Sequence, residues 1–271
     1  MHKALFFIAL ILTFQSSFIL AQDNKEEYYK EFNSGDEAIK WWSRLYAGLI
    51  LSKEEKDIIY DYTFGNFFMI NDKLREGVSL DSLSSEQQEK VRKLDEALSK
   101  TIIFENLKTY RYERLGFITR LIDSKFFFEH VYKNGKFIEG AAERYLATLM
   151  GKHYKDYGFM STTLIRNAVF QDRVVELIIK VPRLNDAMFV SMPELAAFPT
   201  QYELLFPRNR ILKIESVEIS KDRRRVSFVC KMQGICVQGQ ECKEPLIDNL
   251  KQPGIKDLVQ HWKEQRAKQK Q

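Results

Sequence analysis

Residues 196–209 read AAFPTQYELLFPRN, and this stretch decides how the second half of the chain folds. The run from Gln201 to Pro207 is apolar and aromatic and follows a small-residue loop capped by Pro199, which predicts a strand. Residues two apart in a strand point to the same face, so the amide of Gln201 and the carboxylate of Glu203 are expected to lie side by side. A strand that holds an acid beside an uncharged hydrogen-bonding group raises the question of what the two groups bind.

Four more stretches of the second half are short, rich in β-branched and aromatic residues, and separated by turn residues: VVELIIKVP, AMFVS, ILKIESVEIS and RRVSFVCKM. Several strands in a row favour an antiparallel or mixed sheet over alternating strands and helices. The sequence therefore predicts a packed β core in the second half.

The half up to about residue 110 is predicted to be mostly helical. One helix is expected after a Ser34 cap, and a second begins at a capping box of Ser52 and Glu55 and continues to about residue 77. A third helix is expected in SLSSEQQEKVRKLDEALSK, with Val91, Leu94 and Leu98 as its apolar stripe. A fourth is expected in IEGAAERYLATLMGKHY. The predicted fold class is α+β, with amino-terminal helices packed on a core of mixed or antiparallel strands.

The amino-terminal sequence MHKALFFIALILTFQSSFILAQDN has the layout of a secretory signal peptide. A membrane anchor is the alternative, but the uninterrupted apolar run from Ala4 to Phe14 falls short of the ~20 residues that span a bilayer. We expect cleavage near Ala21 and a secreted protein without stable membrane association. The predicted segments are a signal peptide over 1–21, one domain over 22–235 and a carboxy-terminal extension over 236–271.

Cysteines and charge exclude two classes of function. Cys236 and Cys242 flank a polar turn that either forms a disulfide hairpin or leaves two thiols, while Cys230 shares an apolar strand face and is expected to be buried. The cysteine spacing matches no zinc pattern and the chain has four histidines, so no metal site is expected. The net charge of +5 is concentrated in residues 251–271, so the body is close to neutral and no nucleic-acid groove is expected.

Three short pieces together carry a chemical signal. KTYRYERLG places Arg111 near the end of a predicted strand, YGFMSTTL places Ser161, Thr162 and Thr163 on another strand, and QYE supplies Gln201 and Glu203. In this order the pieces resemble the arginine–serine–glutamate class of mono-ADP-ribosyltransferases, and more closely the single-domain, Rho-modifying exoenzymes of bacteria. FNSGDEAIKWW, LSKEEKDIIYDYT, NDKLRE and QYELLFPRN extend the resemblance from about Phe32 to about Met232.

The resemblance implies a reaction that breaks the bond between nicotinamide and ribose in NAD, with NAD as co-substrate. Positive charge develops on the sugar as that bond breaks, and a fixed carboxylate stabilises it, which is the role implied for Glu203. Ser161 matches the serine that orients this glutamate. Gln201 matches the residue that selects the protein acceptor, and an amide there implies an asparagine acceptor, since relatives that modify arginine generally carry glutamate.

The resemblance also implies a set of binding residues. Arg111 and Arg173 match arginines that bind the NAD phosphates, and a guanidinium suits bidentate phosphate contact. Phe198 resembles the exposed aromatic of the loop that recognises the protein substrate, although Pro199 and Thr200 replace the small residues usual there. Further positions expected to contact NAD or to lie beside it are Arg75, Asn71, Thr63, Phe170, Thr162 and Thr163.

Taken together, the resemblance implies a secreted, monomeric NAD–protein ADP-ribosyltransferase that modifies an asparagine of a host Rho-type GTPase. Two alternatives stay open at this point. Water can replace the protein acceptor, which would make the protein an NAD glycohydrolase. The altered loop around Pro199 and the extra tail also fit a binding module that keeps the fold without the activity.

Overall fold

The computed structural model describes residues 27–235, so the predicted signal peptide, Cys236, Cys242 and the basic tail lie outside the described residues. The longer helices come first, as predicted. The helices are α1 (Gly35–Leu45), α2 (Lys53–Phe64), α3 (Phe68–Arg75), α4 (Ser85–Leu98), α5 (Gly116–Thr119), α6 (Ser124–His130) and α7 (Ala141–Ala147), with 3₁₀ turns at Leu80–Ser82 and Pro199–Gln201.

The strands form one large sheet and a small hairpin, which confirms the α+β class. The strands are β1 (Leu107–Glu113), β2 (Tyr132–Lys133), β3 (Lys136–Phe137), β4 (His153–Asp156), β5 (Met160–Thr163), β6 (Val175–Val181), β7 (Met188–Phe189), β8 (Glu203–Phe206), β9 (Arg210–Ile219) and β10 (Val226–Ile235). The eight-stranded sheet has the order β4-β9-β10-β6-β1-β5-β8-β7, and β2 pairs with β3. Within the large sheet β6 and β10 are parallel and the other neighbours are antiparallel, so the sheet is mixed.

Local sequence signals placed the starts of α1 and α2 correctly. Ser34 caps α1 by accepting a hydrogen bond from the Glu37 amide, and Ser52 and Glu55 form the capping box of α2. The predicted single helix from 52 to 77 is wrong, because Gly65 adopts a left-handed conformation (φ 104°) that ends α2 before α3 begins. The helix expected to run to residue 154 also ends early, since Gly151 (φ 80°) reverses the chain into β4.

The core lies between the helices and the sheet. Val91, Leu94 and Leu98, the predicted stripe of α4, are fully buried, as is Cys230 on β10. The position of Cys230 confirms the expected buried cysteine, and burial raises the pKa of its thiol to about 12. In the part of the chain that the structure describes, no helix is long and apolar enough to cross a membrane.

Candidate active site

The pairing of β5 with β8 brings a hydroxyl strand alongside the candidate catalytic acid. Thr163 lies opposite Glu203 and Ser161 lies opposite Leu205, so Ser161, Thr163 and Glu203 share one face of the sheet. The Glu203 backbone N–H donates to Ser191 Oγ at 2.6 Å, and its carbonyl accepts from the Val190 N–H at 3.0 Å. These bonds fix the backbone from which the Glu203 side chain projects.

Glu203 is a largely buried carboxylic acid. Its side chain is buried, with 7% of the residue exposed, and burial raises its pKa from 4.5 to about 7. A hydrogen bond from Ser161 acts in the opposite direction and favours the carboxylate. In its ionised form, which the Ser161 hydrogen bond favours, such a buried carboxylate stabilises a positive charge that develops beside it.

Gln201 does not lie on the strand with Glu203, which corrects the prediction of a shared face. It ends the 3₁₀ turn Pro199–Gln201, and Tyr202 then adopts a left-handed conformation (φ 49°) before β8 begins. Pro199 fixes the backbone angle that the first residue of such a turn requires, and the left-handed residue breaks the alternation of side chains. Gln201 and Glu203 nevertheless line the same cavity.

That cavity has a volume of about 470 Å³ and opens between α3, the end of β1, the end of β5 and the turn before β8. Ten of the twelve predicted site residues line it: Glu203, Gln201, Ser161, Thr162, Thr163, Arg111, Arg173, Arg75, Asn71 and Phe170. The other two lie outside its wall. Thr63 Oγ1 donates to the Tyr60 carbonyl and accepts from the Ala197 N–H at 3.0 Å, so it ties α2 to the loop that carries the half-exposed Phe198.

Two arginines of the cavity, Arg75 and Arg111, are held by carboxylates. Arg111 Nε donates to Glu113 Oε1 at 2.6 Å, and its Nη1 lies 3.1 Å from Asp156 Oδ2. Arg75 Nε donates to Asp156 Oδ1 at 2.9 Å and its Nη2 to the Phe159 carbonyl at 2.8 Å. Burial disfavours the charged form of Arg111, but Glu113 and Asp156 outweigh burial and raise its pKa above the ordinary value.

The loop after β5 supplies the opposite wall of the cavity. Arg173 Nη1 donates to the Tyr112 carbonyl at 2.9 Å, and its guanidinium lies 4.1 Å from the centre of the Phe170 ring. The arginine predicted to bind phosphate and the aromatic predicted to lie near nicotinamide therefore stack on each other. On the other side, Asn71 accepts a hydrogen bond from the Phe159 N–H at 2.9 Å and so orients the turn that leads into β5.

The match to a family model of known proteins covers residues 31–233 and carries the description ADP-ribosyltransferase exoenzyme. This chain belongs to the ADP-ribosyltransferase exoenzyme family. Epidermal cell differentiation inhibitor from Staphylococcus aureus is 31% identical over 203 residues, which cover 73% of this chain and 81% of that protein. Mono-ADP-ribosyltransferase C3 from a Clostridium botulinum D phage is 28% identical over 210 residues, covering 77% and 81% of the two chains.

Solved structures of similar exoenzymes share the fold. C3stau2 from S. aureus, solved with NAD, matches with a TM-score of 0.67 at 28% identity over 75% of this chain and 98% of that one. An ADP-ribosyltransferase from C. botulinum matches with a TM-score of 0.66 at 26% identity over 76% and 99% of the two chains. These matches confirm the predicted exoenzyme resemblance and the predicted fold.

Two carboxylates of the exoenzyme site were missed as functional candidates from sequence, Asp156 and Glu113. The signal for Asp156 was present, because alternation along His153–Asp156 places it on the same buried face as Tyr154. An acid on the inward face of a strand requires a buried cation, and Arg75 and Arg111 supply two. Glu113 has no comparable signal, since it sits at the end of β1 where charged residues are common.

Among residues 27–235, no group of three or more His, Cys, Asp or Glu side chains is placed to hold a metal ion. The charged wall of the cavity instead consists of five arginines and three carboxylates: Arg75, Arg111, Arg114, Arg120, Arg173, Asp72, Glu113 and Glu203. The excess of guanidinium groups suits a ligand that carries phosphate.

Proposed function

We propose that this protein is a secreted NAD-dependent mono-ADP-ribosyltransferase that modifies an asparagine of a Rho-type small GTPase. The domain that carries this activity spans residues 22–235, and export is directed by residues 1–21. The observation that carries the proposal is the arrangement of Glu203, with its pKa near 7, beside Ser161 at one end of a cavity lined by five arginines. Several relatives are mono-ADP-ribosyltransferases, and one similar structure was solved with NAD.

The phosphate end of the cavity fits a dinucleotide. Its volume of about 470 Å³ lies within the usual range for ligand pockets, ~300–1,000 Å³. Arg111 Nη1 is buried against Asp156 Oδ2 at 3.1 Å, whereas its Nε and Nη2 pair with Glu113, which lines the cavity. Two parallel N–H groups on one edge of a guanidinium match the oxygens of a phosphate. Arg111 and Arg173 are therefore the residues proposed to hold the diphosphate.

The part of the cavity wall formed by Glu203, Ser161 and Phe170 fits the sugar and the leaving base. Bound NAD supplies a glycosidic bond whose electron pair leaves with nicotinamide. Glu203, oriented by Ser161, stabilises the positive charge that develops on the ribose. Phe170 offers a ring to the nicotinamide, and burial of Glu203 excludes water that would weaken its electrostatic effect.

The acceptor side is formed by the turn before β8. Gln201 is half-buried on the wall of the cavity, and Phe198, three residues earlier, is 52% exposed. An amide both donates to and accepts from another amide, so Gln201 can orient an asparagine side chain towards the sugar. An exposed aromatic beside a reaction centre is typical of a protein contact, which favours a protein acceptor over water.

The decisive experiment mixes purified protein, NAD labelled on its ADP-ribose, and a Rho-type GTPase, and maps the modified residue by mass spectrometry. We expect label on a single asparagine with the wild type and at least ~100-fold less with Glu203→Gln, since loss of one preorganised electrostatic contact costs that much. Glu143→Gln is the matched control, because Glu143 pairs with Arg223 away from the cavity. Equal labelling by Glu203→Gln, or label on another residue type, would reject the proposal.

A further inference from the structure

Arg111 lies between two carboxylates that hold it in different ways. Glu113 Oε1 accepts from Nε at 2.6 Å and lies 2.5 Å from Nη2, so a single oxygen covers one edge of the guanidinium. Asp156 Oδ2 faces Nη1 at 3.1 Å. The Arg111 side chain is 10% exposed and carries one positive charge against these two negative ones.

Asp156 is held in place by buried contacts within the fold. Its side chain is fully buried, and its other oxygen accepts from Arg75 Nε at 2.9 Å and from the Gly158 N–H at 3.1 Å. Moving this carboxylate would leave Arg75 and the turn before β5 without their acceptor, which is strongly unfavourable for buried groups. Asp156 therefore stays in place whether or not a ligand is bound.

Glu113 has fewer hydrogen-bond partners than Asp156. It is the last residue of β1, its side chain is 19% exposed, and it lines the cavity. Within residues 27–235 its carboxylate makes hydrogen bonds and ion pairs with Arg111 alone. A rotation about its side-chain bonds would bring the carboxylate into water without breaking any other hydrogen bond or close ion pair.

The edge of Arg111 that Glu113 covers is the edge a phosphate needs. Guanidinium binds phosphate bidentately through two parallel N–H groups, and Nε with Nη2 forms such a pair. One edge cannot serve a carboxylate and a phosphate at once, because both are anions and would also repel each other at contact distance.

We propose that Glu113 is a displaceable counter-ion: its carboxylate occupies the phosphate-binding edge of Arg111 until the diphosphate of the dinucleotide takes its place. Glu113 thereby lowers the affinity for NAD and keeps Arg111 oriented and neutralised in the free protein. This inference rests on the proposed function, since it takes NAD as the ligand of the cavity.

The test is calorimetric titration of the full chain with NAD and, separately, with inorganic diphosphate. Glu113→Gln keeps the shape and the acceptor oxygen but removes the competing charge. We expect it to bind both ligands at least about fivefold more tightly than the wild type, because the neutral amide leaves no ion pair to break and no negative charge to repel the phosphate. Glu143→Gln removes the same charge outside the cavity and should leave both affinities unchanged.

A gain in affinity separates this role from a purely structural one, since loss of a supporting contact can only weaken binding. Unchanged or weaker binding of NAD by Glu113→Gln would overturn the inference, as would an equal gain in Glu143→Gln. If the wild type binds no NAD, the proposed function fails, and the inference is then decided by diphosphate alone. Tighter diphosphate binding by Glu113→Gln would support the counter-ion role, and its absence would overturn it.

Discussion

Gln201 and Glu203 are two positions apart in sequence but reach the same cavity from different elements. Glu203 begins β8 and is buried, whereas Gln201 ends a 3₁₀ turn and is half-buried, with the left-handed Tyr202 between them. The acid is fixed by the sheet and the amide is carried by a turn. Their roles should therefore be separable by mutation.

Gln201→Ala should abolish transfer to protein while sparing cleavage of NAD. The truncated side chain belongs to the turn, so the strand that fixes Glu203 is unchanged. We expect nicotinamide release without acceptor to stay within about threefold of the wild type and labelling of the GTPase to fall at least ~100-fold, in line with losses of positioning groups. Release can be followed by chromatography and labelling by autoradiography. If both activities fell together, Gln201 would not act on the acceptor alone. If neither activity fell, water or another residue would perform the role proposed for the Gln201 amide.

Glu203→Gln should make the protein more stable at neutral and alkaline pH. Burial raises the pKa of Glu203 from 4.5 to about 7, so the folded state binds its proton more tightly than the unfolded chain does. The favourable contribution of this proton is complete below pH 4.5 and is lost as pH rises through about 7. The loss amounts to about 3 kcal/mol of the free energy of unfolding, from the size of the shift.

Urea unfolding at several pH values checks this expectation. The difference in free energy of unfolding between Glu203→Gln and the wild type should grow in favour of the variant between pH 5 and pH 8. A difference independent of pH would show that Glu203 titrates at an ordinary value, and the shift attributed to its burial would then be wrong.

Gly35→Ala should disturb the active site from a distance in sequence. A Cβ atom at Gly35, the first residue of α1, would lie 1.9 Å from Cε1 of the Tyr202 ring. Relief of this overlap must move Tyr202, which joins Gln201 to Glu203. We expect a loss of about 1–3 kcal/mol in the free energy of unfolding, typical of overpacking, together with reduced labelling of the acceptor.

Gly48→Ala is the matched control for that substitution, because a Cβ at Gly48 meets no atom within 4 Å. It should leave thermal unfolding and labelling close to the wild type. If Gly35→Ala behaved like Gly48→Ala in both measurements, the close approach of α1 to Tyr202 would have no part in positioning the site.

Local sequence signals predicted much of the fold, and the limits of those signals explain where the prediction was wrong. The caps at Ser34 and Ser52 were predictable because a capping side chain bonds within three residues of itself. The shared face of Gln201 and Glu203 was not, because strand alternation was extended through a turn that a proline and a left-handed residue interrupt. Where a chain leaves a strand depends on backbone angles that composition predicts poorly.

Local sequence signals could not predict the contacts in the site between residues that are far apart in sequence. Asp156 meets Arg75 across 81 positions of sequence, and no periodicity links two such residues. The family resemblance supplied Arg75 and Arg111 as NAD-binding positions, but not the acid that holds them. A buried charged cluster is specified by packing of α3 against β1 and β4, which only the folded chain displays.

Asp156→Asn should weaken NAD binding through both arginines. The variant keeps the volume of the side chain but removes the charge that compensates Arg75 and Arg111. Loss of one partner from a buried ion pair lowers the free energy of unfolding by about 3–5 kcal/mol. Because two guanidinium groups would then be misplaced, the dissociation constant for NAD should rise about tenfold or more. Asp95→Asn is the control, since Asp95 pairs with Arg208 outside the cavity and should leave NAD affinity unchanged. Calorimetry below both unfolding transitions separates the two effects. Wild-type affinity in Asp156→Asn, or an equal loss in Asp95→Asn, would show that the carboxylate supports the fold alone and does not position the arginines.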